Sequence, residues 1–239
     1  MVTGASSGLG LNQAMMLANC GATVFALSRS GQPKVSVNEN IRDGIIFDTI
    51  DISDTRSIKN KLTEIGESGG IDVLINNAGI TQRQRAEDMP EELWRSIHKV
   101  NVDGLFECCK YAYPFLKQSA HVGRIINISS MASYLGFSEV VPYASTKSAV
   151  LGITRGLAVE WSAHNILVNS VSPGWFPSEM SVQVMDEDRR AKILNRMPLH
   201  RFGKPAELSA MICFLASPAA TYITGQDFSV DGGALAFGF

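Results

Sequence analysis

The fold is decided at the start of the sequence, by the stretch Met1-Val2-Thr3-Gly4-Ala5-Ser6-Ser7-Gly8-Leu9-Gly10. It predicts the end of a strand, a glycine-rich turn and the start of a helix that stops near Asn19. Its three glycines would let the backbone approach a pyrophosphate, to which the helix N-terminus offers free N–H groups. The spacing is Gly-x-x-x-Gly-x-Gly rather than the usual Gly-x-Gly-x-x-Gly. A tight strand–helix turn without a ligand therefore stays an open alternative.

The first strand is unusually short. Only Met1 and Val2 precede the turn, whereas a central strand of such a sheet normally has about five or six residues. We therefore expect a truncated or misassigned start, with Met1 as an internal methionine of the strand.

Strand-like and helix-like segments alternate along the rest of the chain. Further strands are predicted at residues 23–27, 44–50, 71–75, 123–128, 166–171 and 227–230. Helices are predicted at residues 54–65, 91–101, 104–117, 142–161 and 205–216, with a substrate lid at about 175–200. This alternation predicts an α/β protein with a single Rossmann-fold domain over residues 1–239. Its sheet is expected to be doubly wound, mostly parallel and seven-stranded, with helices on both faces.

Composition excludes several classes of protein. The chain has 239 residues, 45% of them apolar and 18% charged, which suits one compact domain. A net charge of −2 does not suggest a nucleic-acid surface or a polybasic membrane patch. No segment is long and apolar enough to span a bilayer, and the N-terminus lacks a signal pattern. The four cysteines and four histidines have no metal-ligand spacing, so we expect no metal and a cytoplasmic location.

A candidate acid–base pair lies at Tyr143 and Lys147, within the stretch Pro142-Tyr143-Ala144-Ser145-Thr146-Lys147. Proline near the first turn and the apolar period that follows predict a helix, so the two side chains share a face. A nearby ammonium group favours the phenolate and lowers a tyrosine pKa that starts at about 10. By itself the spacing could also arise by chance on any helix.

Polar residues recur where the predicted strands end, at the edge where ligands of such sheets bind. Ser28 stands where an acidic residue would bind the ribose hydroxyl of NAD, and Arg29 follows it, which favours the 2'-phosphate of NADP. Asp51 and Ile52 follow the third strand, where an adenine ring could lie. Asn76-Asn77-Ala78-Gly79 follows the fourth strand, although a turn without ligand would use the same residues.

Taken together, these stretches resemble the short-chain dehydrogenase/reductase family over the whole chain. The matching stretches are Thr3 to Gly10, Asn76-Asn77-Ala78-Gly79, Asn101, Ile128-Ser129-Ser130, Tyr143-Ala144-Ser145-Thr146-Lys147 and Ser172-Pro173-Gly174. The resemblance implies an NAD(P)(H)-dependent oxidoreductase that interconverts a secondary alcohol and a ketone by hydride transfer. NADP(H) is the expected cofactor, with NAD(H) as the alternative.

The family implies a role for each matching residue. Tyr143 would be the acid–base group and Ser130 would hydrogen-bond the substrate oxygen. Lys147 would bind the nicotinamide ribose and lower the tyrosine pKa, and Asn101 would hold a water in a proton relay. The implied cofactor-binding residues are Gly4, Ser6, Ser7, Gly8, Leu9, Gly10, Arg29, Asp51, Ile52, Asn77, Ala78, Gly79, Tyr143, Lys147, Pro173, Gly174 and Phe176.

Within the family, several stretches look most like gluconate 5-dehydrogenases and related sugar-acid or polyol enzymes. Arg83 could pair with a substrate carboxylate or be an exposed loop arginine. The pocket could be walled by Trp175, Phe176 and Met180, which could equally anchor the lid to the core, and Ser130 and Tyr143 would contact the substrate. The 3-oxoacyl-carrier-protein reductases share most of these motifs. A non-catalytic dinucleotide-binding regulator is a more distant alternative. The family also implies a homotetramer, formed through the helices at 104–117 and 143–161 and the last strand.

Overall fold

The computed structural model of the protein describes residues 1–37, 44–177 and 187–237. The strands are β1 (Val2–Thr3), β2 (Val24–Ser28), β3 (Ile45–Thr49), β4 (Val73–Asn76), β5 (Gly123–Ile128), β6 (Ile166–Pro173) and β7 (Asp227–Val230). The main helices are α1 (Gly8–Asn19), α2 (Thr55–Gly69), α3 (Glu91–His98), α4 (Leu105–Leu116), α5 (Val141–Trp161), α6 (Glu187–Asn195) and α7 (Pro205–Ala216).

All seven strands form one sheet in the order β3-β2-β1-β4-β5-β6-β7, and every pair of neighbours is parallel. This confirms the predicted doubly wound α/β fold. The order reverses between β1 and β4, and the crevice outside the carboxyl ends of these strands is where sheets of this type bind ligands.

β1 has two residues, yet it is paired on both sides. Val2 pairs with Ala26 of β2 and with Ile75 of β4, and its side chain is fully buried. The backbone around it adds further bonds, from Ile75 N–H to the Met1 carbonyl and from Ala5 N–H to the Leu27 carbonyl. The short strand therefore delivers the glycine-rich turn to the centre of the sheet.

Each face of the sheet carries its own apolar core. On one face α2, α4 and α5 contribute side chains such as Leu62, Cys108 and Val150. On the other face α1 and α7 contribute Ala14, Leu208 and Ile212. The helices of both faces start at the edge where the strands end, so the two cores fix the helix N-termini around one crevice.

The structure corrects the prediction of two separate helices at 91–101 and 104–117. A π-helical turn, Lys99–Gly104, joins α3 to α4 without a break. Glycine at position 104 lets the π turn pack directly on Ile52, because a Cβ there would lie 2.2 Å from the Ile52 carbonyl oxygen. Single π turns inserted in helices often occur at functional sites, and this one contains Asn101.

Within the described ranges, no helix combines the length and the apolar character needed to cross a membrane. Of the predicted lid, residues 178–186 lie outside the described residues, and α6 occupies part of the remainder.

Candidate active site

The glycine-rich turn after β1 and the Asn-Asn-Ala-Gly turn after β4 are held together by direct hydrogen bonds. The Thr3 hydroxyl accepts from the backbone N–H groups of Asn77 (3.1 Å) and Ala78 (3.0 Å). The Asn77 amide donates to the Thr3 carbonyl at 3.0 Å and to the Gly4 carbonyl at 3.3 Å. Two turns that are 73 to 75 residues apart in sequence thus form one rigid floor for the crevice.

The geometry of the first turn fits a dinucleotide phosphate. A Cβ on Gly4 would lie 2.8 Å from the Ala78 Cα, so only glycine allows the two turns to meet. Gly8 has a φ of +56° and open space around it, which leaves its side of the turn accessible to a ligand. The N-cap residue of α1, Ser7, makes no side-chain cap, and the first turn has no acidic residue. The N–H groups of this helix end can therefore bind an anion.

Gly10→Ala is expected to disrupt this floor. The added methyl would lie 2.4 Å from the Gly4 carbonyl oxygen and 2.5 Å from the Asn77 amide nitrogen, and both belong to the linked turns. Overpacking of this kind costs about 1–3 kcal/mol of stability. We expect a lower melting temperature and at least tenfold weaker dinucleotide binding, measured by thermal denaturation and calorimetric titration. The matched control is Gly69→Ala, where the methyl meets nothing within 4 Å. Equal behaviour of the two variants would contradict the close packing at Gly10.

The end of β2 is polar and basic rather than acidic. The Ser28 hydroxyl lies 3.2 Å from the Ser30 hydroxyl and accepts from Gly31 N–H at 3.2 Å. Arg29 is exposed, and its charge helps to hold the pKa of Asp51 below its ordinary value, after the larger effect of the hydrogen bond from the Ser53 hydroxyl. Arg29 and Asp51 follow the parallel neighbours β2 and β3 at the same edge of the sheet, and their predicted contact with the adenosine end of a cofactor stays a prediction.

The predicted acid–base group, lysine and serine come together at the start of α5. Tyr143 and Lys147 share a face of the helix, with the Lys147 Nζ 5.7 Å from the centre of the Tyr143 ring. Ser130, at the end of β5, accepts from Ala132 N–H at 3.1 Å, and its hydroxyl lies beside the Tyr143 phenol. The Lys147 Nζ donates to the Ile128 carbonyl at 2.7 Å and lies beside Gly79 of the second turn.

The protonation state of the tyrosine differs from the sequence-based prediction. Burial raises the pKa of Tyr143 above its ordinary value, and the hydrogen bond from Ser130 opposes this only in part. Burial also lowers the pKa of Lys147 to about 8. The ammonium group lies over the ring and bonds to Ile128 rather than to the phenol oxygen, so the predicted lowering of the tyrosine pKa is wrong for this structure.

Asn101 lies in the π turn with its carboxamide occupied. Its amide nitrogen donates to the Ile80 carbonyl (2.9 Å) and to the Thr146 hydroxyl (3.1 Å), and its oxygen accepts from Ile80 N–H (2.8 Å). The Asn101 side chain therefore links the segment after the second turn to helix α5. Its predicted part in a proton relay stays a prediction.

Comparison with known proteins agrees with this geometry. A family model described as enoyl-(acyl carrier protein) reductase matches residues 4–234. The 2-dehydro-3-deoxy-D-gluconate 5-dehydrogenase of Bacillus subtilis is 37% identical over 238 residues, which cover 98% of this chain and 93% of that protein. The chain belongs to the short-chain dehydrogenase/reductase family. It is accordingly an oxidoreductase that acts on a CH–OH group.

Two further comparisons relate this short-chain dehydrogenase/reductase to members with different substrates. The 3-oxoacyl-[acyl-carrier-protein] reductase of Thermotoga maritima is 35% identical over 237 residues, covering 98% of this chain and 96% of that protein. The crystal structure of a gluconate 5-dehydrogenase from Burkholderia cenocepacia, in complex with NADP and tartrate, matches with a TM-score of 0.89 at 31% identity. That match covers 98% of this chain and 93% of the other.

The predicted substrate residues of this short-chain dehydrogenase/reductase stay predictions, and the structure describes only some of them. Trp175 is half-buried and packs edge-to-face on Phe137, with ring centres 6.0 Å apart. Phe176 is buried with its ring next to Gly203, and its predicted cofactor contact stays a prediction. Met180 lies outside the described residues.

Arg83 forms an ion pair with Glu139, a residue that the sequence did not single out. The backbone joins the same two segments, because Gln84 N–H donates to the Glu139 carbonyl at 2.8 Å. Glu139 has a φ of +68°, which costs a residue with a Cβ about 1–2 kcal/mol. The sequence carried no signal for this contact, since the partners are 56 residues apart in irregular segments.

The sequence also missed Thr146 and a buried amide chain. The Thr146 hydroxyl donates to the Tyr143 carbonyl at 2.8 Å, which stiffens the helix turn that carries the acid–base group. Beneath the site, the Asn76 amide donates to the Asn127 carboxamide (2.9 Å), whose own amide donates to the Thr154 hydroxyl (3.0 Å). Polar residues inside predicted strands were the available signal, because buried amides need partners.

Proposed function

We propose that this enzyme uses NADP(H) to interconvert a secondary alcohol and a ketone of a sugar acid or a related polyol. The observation that carries the proposal is the convergence of Tyr143, Ser130 and Lys147 beside the cofactor floor, with Arg83 beyond the second turn. A cationic side chain on that side of the site suits an anionic substrate.

The proposed roles follow from what each residue can donate. When bound, the dinucleotide supplies or accepts the hydride. Tyr143 gives a proton to the ketone oxygen during reduction and takes it back during oxidation. The Ser130 hydroxyl, which lies beside Tyr143, would donate its one hydrogen to the same oxygen and stabilise its developing charge. Lys147 would bind ribose hydroxyls, for which its ammonium group has two donor hydrogens beyond the one used by Ile128.

NADP(H) preference is supported by Arg29 and by the hydroxyl groups of Ser28 and Ser30 at the end of β2. These groups can bind a 2'-phosphate, whereas an acidic residue there would bind a ribose hydroxyl. The gluconate 5-dehydrogenase from Burkholderia cenocepacia was crystallised with NADP, which agrees with this proposal.

Arg29→Asp is expected to reverse the cofactor preference. The new carboxylate would repel the 2'-phosphate and accept from the ribose hydroxyl of NAD(H). Hydrogen bonds to charged groups contribute about 1.5–3 kcal/mol, so kcat/KM for NADP(H) should fall about 10- to 100-fold while that for NAD(H) rises. Steady-state kinetics with both cofactors measures the ratio. Arg95→Asp, an equal charge change on exposed α3, is the control. If the ratio moved equally in both variants, Arg29 would not be the 2'-phosphate ligand.

The sugar-acid substrate is proposed from Arg83 and from the relatives that are named as gluconate-type dehydrogenases. The 3-oxoacyl-carrier-protein reductases are nearly as similar in sequence, so identity alone does not separate the two substrates. A carrier protein would favour a basic surface at the mouth of the site, whereas the whole chain has a net charge of −2. A non-catalytic regulator would have no need of the assembled Ser130, Tyr143 and Lys147.

The deciding experiment is an absorbance assay at the nicotinamide band in both directions. It pairs NADP(H) and NAD(H) with gluconate, 5-ketogluconate, 2-dehydro-3-deoxygluconate and a short 3-oxoacyl thioester. We expect turnover of at least one sugar acid, with kcat/KM above that of the thioester. Reduction of the thioester alone would contradict the proposal and favour the carrier-protein reductase. Dinucleotide binding without turnover of any ketone would favour the regulator.

We also propose that residues 1–239 act as one dinucleotide-binding domain with a substrate lid at about 175–200, and that the enzyme is a cytoplasmic homotetramer. The helices expected at the interface carry exposed apolar side chains, Phe106 on α4 (41% exposed) and Val159 on α5 (80% exposed). Such side chains are more stable when covered by another subunit. Light scattering tests this assembly, and a monomer would contradict it.

A further inference from the structure

Two loops that frame the substrate side are joined by a charged pair whose members are both partly exposed. Arg83, in the segment after β4, pairs with Glu139, in the segment before α5, and their side chains are 42% and 30% exposed. The bond between Gln84 N–H and the Glu139 carbonyl holds the two backbones at a fixed separation. Both charged groups are therefore partly open to solvent, on two backbone segments that are tied together.

The backbone of Glu139 suggests that its carboxylate has a role beyond packing. Its φ of +68° lies in the left-handed region, where only two other non-glycine residues of the described part of the chain lie, Asn165 and His200. Asparagine tolerates this conformation, and glycine would adopt it without strain, whereas a glutamate is strained. Strained residues concentrate at ligand-binding and active sites, where the side chain is needed in spite of the cost.

The pair lies close in sequence to the reacting groups. Arg83 is four positions after Gly79, whose added Cβ would lie 3.5 Å from the Lys147 Nζ. Glu139 is four positions before Tyr143. Four residue steps span at most about 14 Å, so the Cα atoms of Arg83 and Glu139 lie within this distance of the Cα atoms of Gly79 and Tyr143, respectively. A six-carbon acid that reacts near its far end could extend from Tyr143 towards Arg83.

We propose that Arg83 and Glu139 together recognise a carboxylate that has a hydroxyl group beside it, and that Glu139 is the specificity-determining member. In the complex, Arg83 would bind the carboxylate, and Glu139 would accept a hydrogen bond from the neighbouring hydroxyl. This inference rests on the proposed function. Without substrate, the charges of Arg83 and Glu139 are paired with each other. A carboxylate without the hydroxyl would take Arg83 away from Glu139 and leave two anions side by side.

The test compares two acids that differ only in the hydroxyl group beside the carboxylate, gluconate and 2-deoxygluconate, as substrates for oxidation by NADP. For the wild type, kcat/KM should be higher for gluconate. In Glu139→Ala and in Glu139→Gly, the ratio of the two kcat/KM values should fall about 10- to 100-fold, the effect of one hydrogen bond to a charged group. Glu139→Gly also removes the backbone strain, so it keeps the test informative if the alanine variant unfolds.

Three further variants sharpen the result. Glu139→Gln keeps a hydrogen-bond acceptor without the charge, so this variant should retain part of the wild-type preference for gluconate. Arg83→Ala should lower kcat/KM for both acids together, because both carry the carboxylate. Glu87→Ala breaks a neighbouring exposed ion pair with Arg85 and should keep the wild-type ratio.

Two results would overturn the inference, and they can be told apart. If the glycine and alanine variants oxidise gluconate with an unchanged ratio, Glu139 only supports Arg83, and the proposed function survives. If the wild type reduces a neutral diketone such as diacetyl with NADPH but oxidises no hydroxy acid, the proposed substrate class fails and the inference fails with it.

Discussion

Replacing Tyr143 by phenylalanine should lower kcat by about three to four orders of magnitude and leave dinucleotide binding nearly unchanged. The Tyr143 phenol lies beside Ser130, and its ring shares a face of α5 with Lys147. Loss of a positioned acid–base group typically costs about 10²- to 10⁴-fold, and here Ser130 also loses its partner. The phenylalanine ring keeps the packing and the contact with the ammonium group, so the floor that binds the cofactor should stay intact.

The measurement is kcat from steady-state reduction, together with NADPH affinity from calorimetric titration. Tyr113→Phe is the matched control, because its hydroxyl is also hydrogen-bonded, to His164 at 3.0 Å, but lies towards the opposite edge of the sheet. That variant should keep its kcat within about twofold. A tenfold or smaller loss in Tyr143→Phe, with normal folding, would mean that another group transfers the proton.

Replacing Lys147 by methionine should have two opposite effects, a loss of activity and a gain in stability at neutral pH. The ammonium group is buried, and its pKa falls to about 8 from an ordinary value of 10.5. In the unfolded chain Lys147 keeps its proton up to about pH 10.5. Below about pH 8 it is protonated in the folded protein as well, and burial of this charge lowers the free energy of unfolding. A pKa shift of this size lowers the free energy of unfolding of the wild type by roughly 3 kcal/mol. The methionine variant gains less than this, because it also loses the hydrogen bond to the Ile128 carbonyl.

We therefore expect the methionine variant to be about 1–3 kcal/mol more stable than the wild type at pH 7, with the difference shrinking as the pH rises from 8 towards 10.5. Urea denaturation at pH 7 and pH 9.5 measures this. Turnover should fall about 10²-fold or more, because the charge that would bind the ribose is gone. Lys110→Met, at a lysine that is 51% exposed, is the control and should change neither quantity appreciably. A destabilised variant with no pH dependence would refute the buried-charge argument.

The wild type should show the same ionisation in its kinetics. The kcat/KM for NADP(H) reports the free enzyme, so it should decline above about pH 8 as Lys147 loses its proton, and this decline should be absent from the methionine variant.

Local features of the chain were predictable because they depend on neighbouring residues. The alternation of strands and helices led to the seven-stranded sheet, and the glycine-rich stretch located the turn at its centre. The four-residue spacing of Tyr143 and Lys147 placed both on one helix face. The break expected between the helices at 91–101 and 104–117 was wrong, because the π turn depends on how closely Gly104 packs on Ile52.

The sequence by itself determined the fold and the family resemblance, and it predicted the catalytic group, since each rests on short-range spacing and residue type. Only the tertiary structure revealed the direction in which the pKa of Tyr143 moves, because its burial raises that pKa. It alone also revealed Glu139 as the partner of Arg83. Burial and contacts between distant segments come from packing of the whole chain, which local spacing does not contain.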